Sequence, residues 1–381
     1  MYIRLITYHN HSSFFLFGAR GVGKSMWVKA EFEDSIYIDL LSDKTFNELQ
    51  AAPSRLRERI PSGHKGWVIV DEIQKVPAIL NEVHRLIEEK KTRFILTGSS
   101  ARKLRKQGVN LLAGRALTKK MFPLTVRELG VDFNFEKSVK VGHIPKAYLD
   151  PDADAFLHAY IKTYLKEEVF QEGLTRNMEA FARFLEVASF SHGHYLNISK
   201  VASDCNVERK TVGQYFQILE DLLIGHQLPV FTKKAKRSVA AHPKFYFFDT
   251  GVYRTLRPRG PLDVEAEIDG PAWEGLVLQE LMAENEYNNL QYEFFCWKVQ
   301  KSVDVDIVLY GPQGLIAIEV KRADRLRGGE LDGLRTFKAD YAMAKTFFVW
   351  GGDERYVEDI HLIPIEKFLK NTMRILKGEN I

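Results

Sequence analysis

The chain has 381 residues, enough for two or three domains with separate cores, and its 45% hydrophobic and 27% charged residues exclude a disordered or fibrous protein. With 54 Lys and Arg against 50 Asp and Glu, the net charge of +4 gives no general affinity for a polyanion, so nucleic-acid contact must rest on local patches. Cys205 and Cys296 have neither disulfide density nor zinc-ligand spacing, and no apolar run reaches the roughly 18–20 residues of a membrane span. With no signal-peptide pattern at the N-terminus, the expectation is a cytoplasmic protein without a membrane partner.

The first predicted element is a buried strand at 13–17 in "SFFLFGARGVGKSMWVKAEF", followed by a glycine-rich turn and a helix. The turn satisfies G-x-x-x-x-G-K-[ST] with Gly18, Gly23, Lys24 and Ser25. Along Gly18, Ala19, Arg20, Gly21, Val22, Gly23, Lys24, Ser25 and Met26 the backbone would wrap its N–H groups around phosphate oxygens. Lys24 would reach the β- and γ-phosphates and Ser25 would ligate Mg²⁺. A second strand at 67–70 ends in Asp71 and Glu72, where a parallel strand delivers residues to a ligand crevice. In this Walker B pattern Asp71 would hold magnesium and Glu72 would polarise the attacking water.

A third strand, "RFILTGSS" (93–100), ends in hydroxyls, of which Thr97, Ser99 or Ser100 would bond the γ-phosphate or the water; such a run is also an ordinary turn. The alternation of these strands with helical stretches predicts a doubly wound parallel sheet. Arg115, beside a further strand at about 117–122, is a candidate for the transition-state phosphate, in its own subunit or across an interface, or else a surface charge.

"GARGVGKS", "VIVDEIQKVP", "ILTGSSARKL", "AGRA" and "FPLTVREL", in that order, resemble the bacterial and archaeal AAA-type ATPases that carry a C-terminal uncharacterised domain with a restriction-endonuclease-like core. The resemblance runs through nearly the whole chain. It implies an ATP-binding AAA domain with the Walker and sensor positions named above, and a homo-oligomer. One departure is visible: only about a dozen residues precede the first strand, where the family often has an arginine-bearing helical segment.

From about 131 the apolar spacing turns helical, and "NISKVASDCNVERKTVGQYFQILEDLL" reads as helix, turn near "DCN", helix. Two apolar strands around a loop with Lys233, Lys234, Lys236 and Arg237 follow, in the form of a winged helix. Arg209 and Lys210 at the start of the second helix and the basic loop are the candidate DNA contacts. Winged helices also serve as packing modules, and the acidic residues at 204, 208, 220 and 221 oppose a phosphate surface.

The last segment has a predicted helix at 271–289 bearing Glu274 and Glu280, then the strand "YEFFCWKV" and the hairpin "VDVDIVLYGPQGLIAIEVK" (303–321). Turning about "GPQG", the hairpin pairs residues whose numbers sum to 625, which sets Asp306 against Glu319. Two carboxylates so close need a cation between them or a shared proton, which points to a metal. Asp306, Glu319 and Lys321, with Glu274 on the helix, resemble the PD-(D/E)XK nuclease core, which would use them to hold Mg²⁺ and a nucleophilic water; a surface ion-pair cluster is the alternative.

The expected fold is α/β: an AAA-type P-loop domain with a parallel sheet at 1–130, a helical and winged-helix domain at 131–250, and a restriction-endonuclease-like domain at 251–381. The expected function is a Mg²⁺-dependent ATPase whose nucleotide state drives or gates action on DNA, whether binding, remodelling or cleavage. The alternative is a regulatory switch in which an inactive nuclease-like scaffold binds a protein partner.

Overall fold

The computed structural model describes residues 2–9, 11–100, 104, 115–165, 169, 177–234, 242–299 and 303–379. The chain divides into two compact units where the sequence pattern suggests three domains: residues 4–123 with 221–223, and residues 1–3, 124–220 and 224–381.

In the first unit β1 (Ser13–Phe17), β2 (Ile36–Asp39), β3 (Trp67–Asp71), β4 (Arg93–Gly98) and β5 (Ala116–Lys120) form an all-parallel sheet in the order β2-β3-β4-β1-β5. α1 (Lys24–Glu31), α2 (Asp43–Ala51) and α3 (Ile79–Lys90) connect them. All five residues of β1 are buried, as are most of β3 and β4, because the inner strands of a parallel sheet are covered on both faces. Ile79, Val83 and Leu86 of α3 pack with Phe15, Val70 and Leu96 into the core of this unit. The sequence reading has no strand at 36–39, since four residues alternate too briefly to signal one, and pairing with β3 makes it.

The chain leaves β1 toward β2 on one side and leaves β4 toward β5 on the other, and this reversal opens a crevice at the C-terminal ends of the two strands. Phe17 aligns with Gly98 and Val70 with Leu96, so the turns after β1, β3 and β4 emerge on one edge.

The second unit begins with the short helices α4 (Val126–Leu129), α5 (Phe135–Val141), α6 (Pro145–Leu149) and α7 (Ala153–Ala159), then α8 (Met178–Ser189). β6 (His194–Tyr195) precedes α9 (Ile198–Asp204) and α10 (Arg209–Asp221), whose turn holds Asn206 at φ 51°. β7 (Gly225–Leu228) and β8 (Lys244–Phe247) follow, and the three strands form a sheet in the order β6-β8-β7. The backbone between β7 and β8 also reaches β9 (Glu293–Val299): Phe231 N–H donates to the Cys296 carbonyl at 2.7 Å, and Cys296 N–H to that of Pro229 at 2.9 Å. This pairing covers the last strand of the larger sheet, an edge that would otherwise be open, and it crosses the segments expected to be separate domains.

That larger sheet contains β9, β10 (Val303–Gly311), β11 (Gly314–Lys321), β12 (Lys345–Trp350), β13 (Arg355–Val357) and β14 (Ile360–Pro364), in the order β13-β14-β12-β11-β10-β9. The hairpin register runs from Ile307 opposite Ile318 to Gly311 opposite Gly314, so the pair sum of 625 holds, and β10 has a bulge against β9 between Val305 and Val308. The helices of this part are α11 (Thr250–Leu256), α12 (Glu265–Tyr287), α13 (Asp332–Asp340) and α14 (Ile365–Leu376). α12 begins at Glu265, before the expected start at Pro271, because buried Ile268 and the pairing of Asp269 with Arg254 and Arg322 hold the first turns despite the missing proline N–H.

His143 is wholly buried: its Nδ1 lies 2.7 Å from the Leu124 carbonyl, and its Nε2 has no partner among the described residues. Burial pushes its pKa down to about 4 from the usual 6.5, because a proton on Nε2 would find no acceptor there. The unfolded chain protonates this ring below about 6.5 while the folded chain does not, so its contribution is full above that pH and is lost as pH falls toward about 4. Between pH 7 and 5 this residue should remove about 2 kcal/mol of stability. Denaturant unfolding at both pH values should show a shallower loss in His143→Gln than in the parent.

Candidate functional site: nucleotide loop and acidic cluster

The loop after β1 curls with Gly21 at φ 84° and Gly23 at φ 99°, backbone angles that a side chain would strain. Lys24 opens α1, is buried, and donates to the carbonyls of Gly18 at 2.7 Å and Ala19 at 3.1 Å, so its ammonium lies within the curl of the loop.

Asp71, at the end of β3, is 3% exposed. The Thr97 hydroxyl donates to one of its oxygens and accepts the Glu72 N–H at 3.2 Å. The Tyr37 hydroxyl donates to the other, and the Ser25 hydroxyl bonds Tyr37 in turn. Burial, then the adjacent Asp71, holds the Tyr37 phenol far above its ordinary pKa, so it remains a proton donor. Ser25 and Asp71, expected as magnesium ligands, are thus brought together by a residue that the sequence reading missed; the signal was a lone tyrosine in the short apolar run "SIYID".

Glu72 takes a left-handed backbone, φ 60° and ψ 48°, unusual for a residue with a side chain and typical of sites where position outweighs local strain. The Gln74 amide donates to its carboxylate and also lies 3.2 Å from the Ser99 hydroxyl. Gln74 was likewise missed. A Cβ on Gly98 would lie 2.5 Å from Gln74 Oε1, so the glycine makes room for that side chain. Of the three hydroxyl candidates, Thr97 therefore serves Asp71 and Ser99 serves the Glu72–Gln74 pair. Arg115 is exposed and paired with Glu88 of α3, whose carboxyl it lowers.

The acidic residues expected to hold a second metal do meet, but around a lysine. Lys244 of β8, 3% exposed, places its Nζ 2.6 Å from Asp306 Oδ1 and 3.2 Å from Glu274 Oε2. The Tyr246 hydroxyl donates to Glu274 Oε2 at 2.9 Å, the Val320 N–H donates to Asp306 Oδ2 at 2.9 Å, and Lys321 bonds Glu319 Oε1 at 2.6 Å. Burial, and after it Asp306, raises Glu274 to about 7 and Glu319 well above the carboxylate range. Burial would also raise Asp306, but Lys244 and then Lys321 outweigh it and hold Asp306 low. Among the described residues no group of three or more His, Cys, Asp or Glu is arranged to hold a metal. The carboxylates here do not fit one, since their cations are already two lysines.

Of the expected DNA contacts, Arg209 and Lys210 are exposed at the start of α10, and Lys234 is exposed. Lys233 instead pairs with Glu293 and lies 4.3 Å from the Tyr310 ring, which draws it onto the larger sheet. Lys236 and Arg237 lie outside the described residues.

Residues 10–130 match the AAA domain family. This part of the chain is a P-loop AAA-type ATPase domain. Residues 133–263 and 269–368 match two families described as domains of unknown function, DUF8612 and DUF4143. Uncharacterised proteins of Mycobacterium bovis and Mycobacterium tuberculosis are each 26% identical over 317 residues, covering 81% of this chain and 70% of theirs. The Aeropyrum pernix Orc1 protein, solved in complex with DNA, is 13% identical with a TM-score of 0.27, over 64% of this chain and 86% of that one; a likeness so slight carries no argument. Among the described residues no helix is long and apolar enough to cross a membrane.

Because Tyr37 holds the AAA domain's Asp71 and Ser25 together, Tyr37→Phe should raise the Mg²⁺ concentration for half-maximal ATP turnover on the order of tenfold, the usual effect of losing a partner behind a metal ligand. Nucleotide affinity measured without magnesium should stay unchanged. Titration of turnover with Mg²⁺, beside binding of a fluorescent nucleotide in EDTA, separates the two effects.

Proposed function

We propose that the chain is a Mg²⁺-dependent ATP hydrolase whose nucleotide state governs binding of DNA by the second unit. The observation that carries the reading is the Ser25–Tyr37–Asp71–Thr97 hydrogen-bond chain beside the loop that encloses Lys24. Ser25 and Asp71 are hard oxygen donors that fit Mg²⁺, which when bound would offset the charge of the β- and γ-phosphates.

The loop N–H groups from Gly18 to Met26 would hold the phosphates, and Lys24 would exchange its carbonyl partners for a β- or γ-phosphate oxygen. Glu72, steadied by Gln74, would orient the water that attacks the γ-phosphorus as its bond to the β-bridging oxygen breaks, releasing ADP and phosphate. Ser99 would help to position that water through Gln74. Arg115 would enter this chemistry once released from Glu88, in its own subunit or, in a homo-oligomer, at a neighbour's nucleotide. In the second unit Arg209 and Lys210 would face a DNA groove and Lys234, Lys236 and Arg237 its phosphates, as in a winged helix.

A second reading is favoured by the position of Lys244 between Glu274 and Asp306. On it, the restriction-endonuclease-like element is a scaffold that binds a protein partner and cleaves nothing.

Lys24→Ala should abolish nucleotide binding, whereas Glu72→Gln should bind ATP normally and stop turnover, since the first residue holds ground-state phosphate and the second acts on water. Equal turnover by the parent and Glu72→Gln would remove Glu72 from the mechanism. For DNA, affinity should fall steeply with salt, and neutralising Arg209, Lys210 and Lys234 should flatten the log–log slope by about 0.9 for each phosphate that is no longer neutralised. No binding to duplex DNA at low salt with ATP present would hand the lead to the protein-partner reading.

A further inference from the structure

Lys244 is fixed from both sides. It sits on β8, the central strand of its sheet, where its Cα pairs with Tyr195 of β6 and Leu228 of β7. Two residues on, Tyr246 emerges on the same face of the strand and reaches Glu274, so β8 contributes two donors to one carboxylate. The ammonium spans Asp306 on β10 and Glu274 on α12, and the Tyr195 ring lies 5.6 Å from it. Lys321 neutralises Glu319 from the same strand, two residues on.

We propose that Lys244 is the resident cation of the Glu274–Asp306–Glu319 cluster: its ammonium takes the place a divalent ion would need, and the cluster binds neither Mg²⁺ nor Mn²⁺ while β8 stays in its sheet. Mg²⁺ requires a near-octahedral set of oxygens at about 2.0–2.1 Å, and an ammonium already hydrogen-bonded to two of the three carboxylates blocks both the space and the ligand oxygens. Its positive charge also repels a second cation at contact distance. Moving the ammonium aside would break its bonds to Asp306 and Glu274 and leave those buried carboxylates without it. The cluster therefore acts as an internal clamp that ties β8 to β10 and α12, and metal-assisted phosphodiester cleavage is closed to it in this arrangement. This inference rests on the second unit alone and stands or falls independently of ATP hydrolysis.

The test is calorimetric titration of the full chain with Mn²⁺, without nucleotide, for the parent, Asp306→Asn, Lys244→Met and the double variant. Mn²⁺ bound weakly at Ser25 and Asp71 is common to all four and cancels. The parent and Asp306→Asn should give the same isotherm. Lys244→Met should gain one site at least about tenfold tighter than any the parent shows, and the double variant should lose it. A parent Mn²⁺ site abolished by Asp306→Asn would overturn the proposal, as would a folded Lys244→Met protein that gains no site. Should Lys244→Met fail to fold, the comparison of the parent with Asp306→Asn still decides, because it needs no change at Lys244.

Discussion

A carboxylate taken out of water must be met by donors or cations, and that requirement organises both halves of this protein. Asp71 and Asp306 are each 3% exposed. Around Asp71 the compensation comes from neutral hydroxyl donors, Thr97 and Tyr37, which bring no positive charge to the carboxylate. Around Asp306 it comes from an ammonium and a backbone N–H, which leave it already neutralised. Two aspartates on two sheets thus have opposite chemical prospects.

The difference has a structural origin. Asp71 lies on an edge where three turns of a parallel sheet meet, and the hydroxyls that bond it come from the adjacent strands β2 and β4, beside the phosphate loop that encloses Lys24. The cluster around Asp306 is approached by a second sheet whose middle strand starts with a lysine. Other buried acids of the second unit follow the same rule. Glu284 bonds Arg127 at 2.9 Å and Glu280 accepts the Val126 N–H at 3.0 Å, so α12 anchors α4 through its acidic residues.

Much of the first unit was legible in the sequence because its signals are local. The strand–turn–helix of the phosphate loop, the apolar run ending in Asp71 and Glu72, and the third strand with its hydroxyls are each short, contiguous patterns that need no knowledge of distant segments. The hairpin register was legible for the same reason, since a two-residue turn sets the pairing of every residue beyond it. Strand β2 and with it Tyr37 escaped notice, because four residues carry too little alternation to stand apart from a loop.

The sequence by itself determined the phosphate loop, the acidic strand end beside it, and the meeting of Asp306 with Glu319, since each follows from spacing along one strand or one turn. Only the tertiary structure decided what those carboxylates face. Lys244 lies 62 residues from Asp306 and 30 from Glu274 in the chain, and no local pattern links a lysine at the head of an aromatic strand to either. The stretch 229–231 pairing with β9 and the drawing of Lys233 onto Tyr310 were equally invisible. Side-chain type and short spacing state which charges a strand carries, but the partner of a buried charge is chosen by the folding of distant segments onto it.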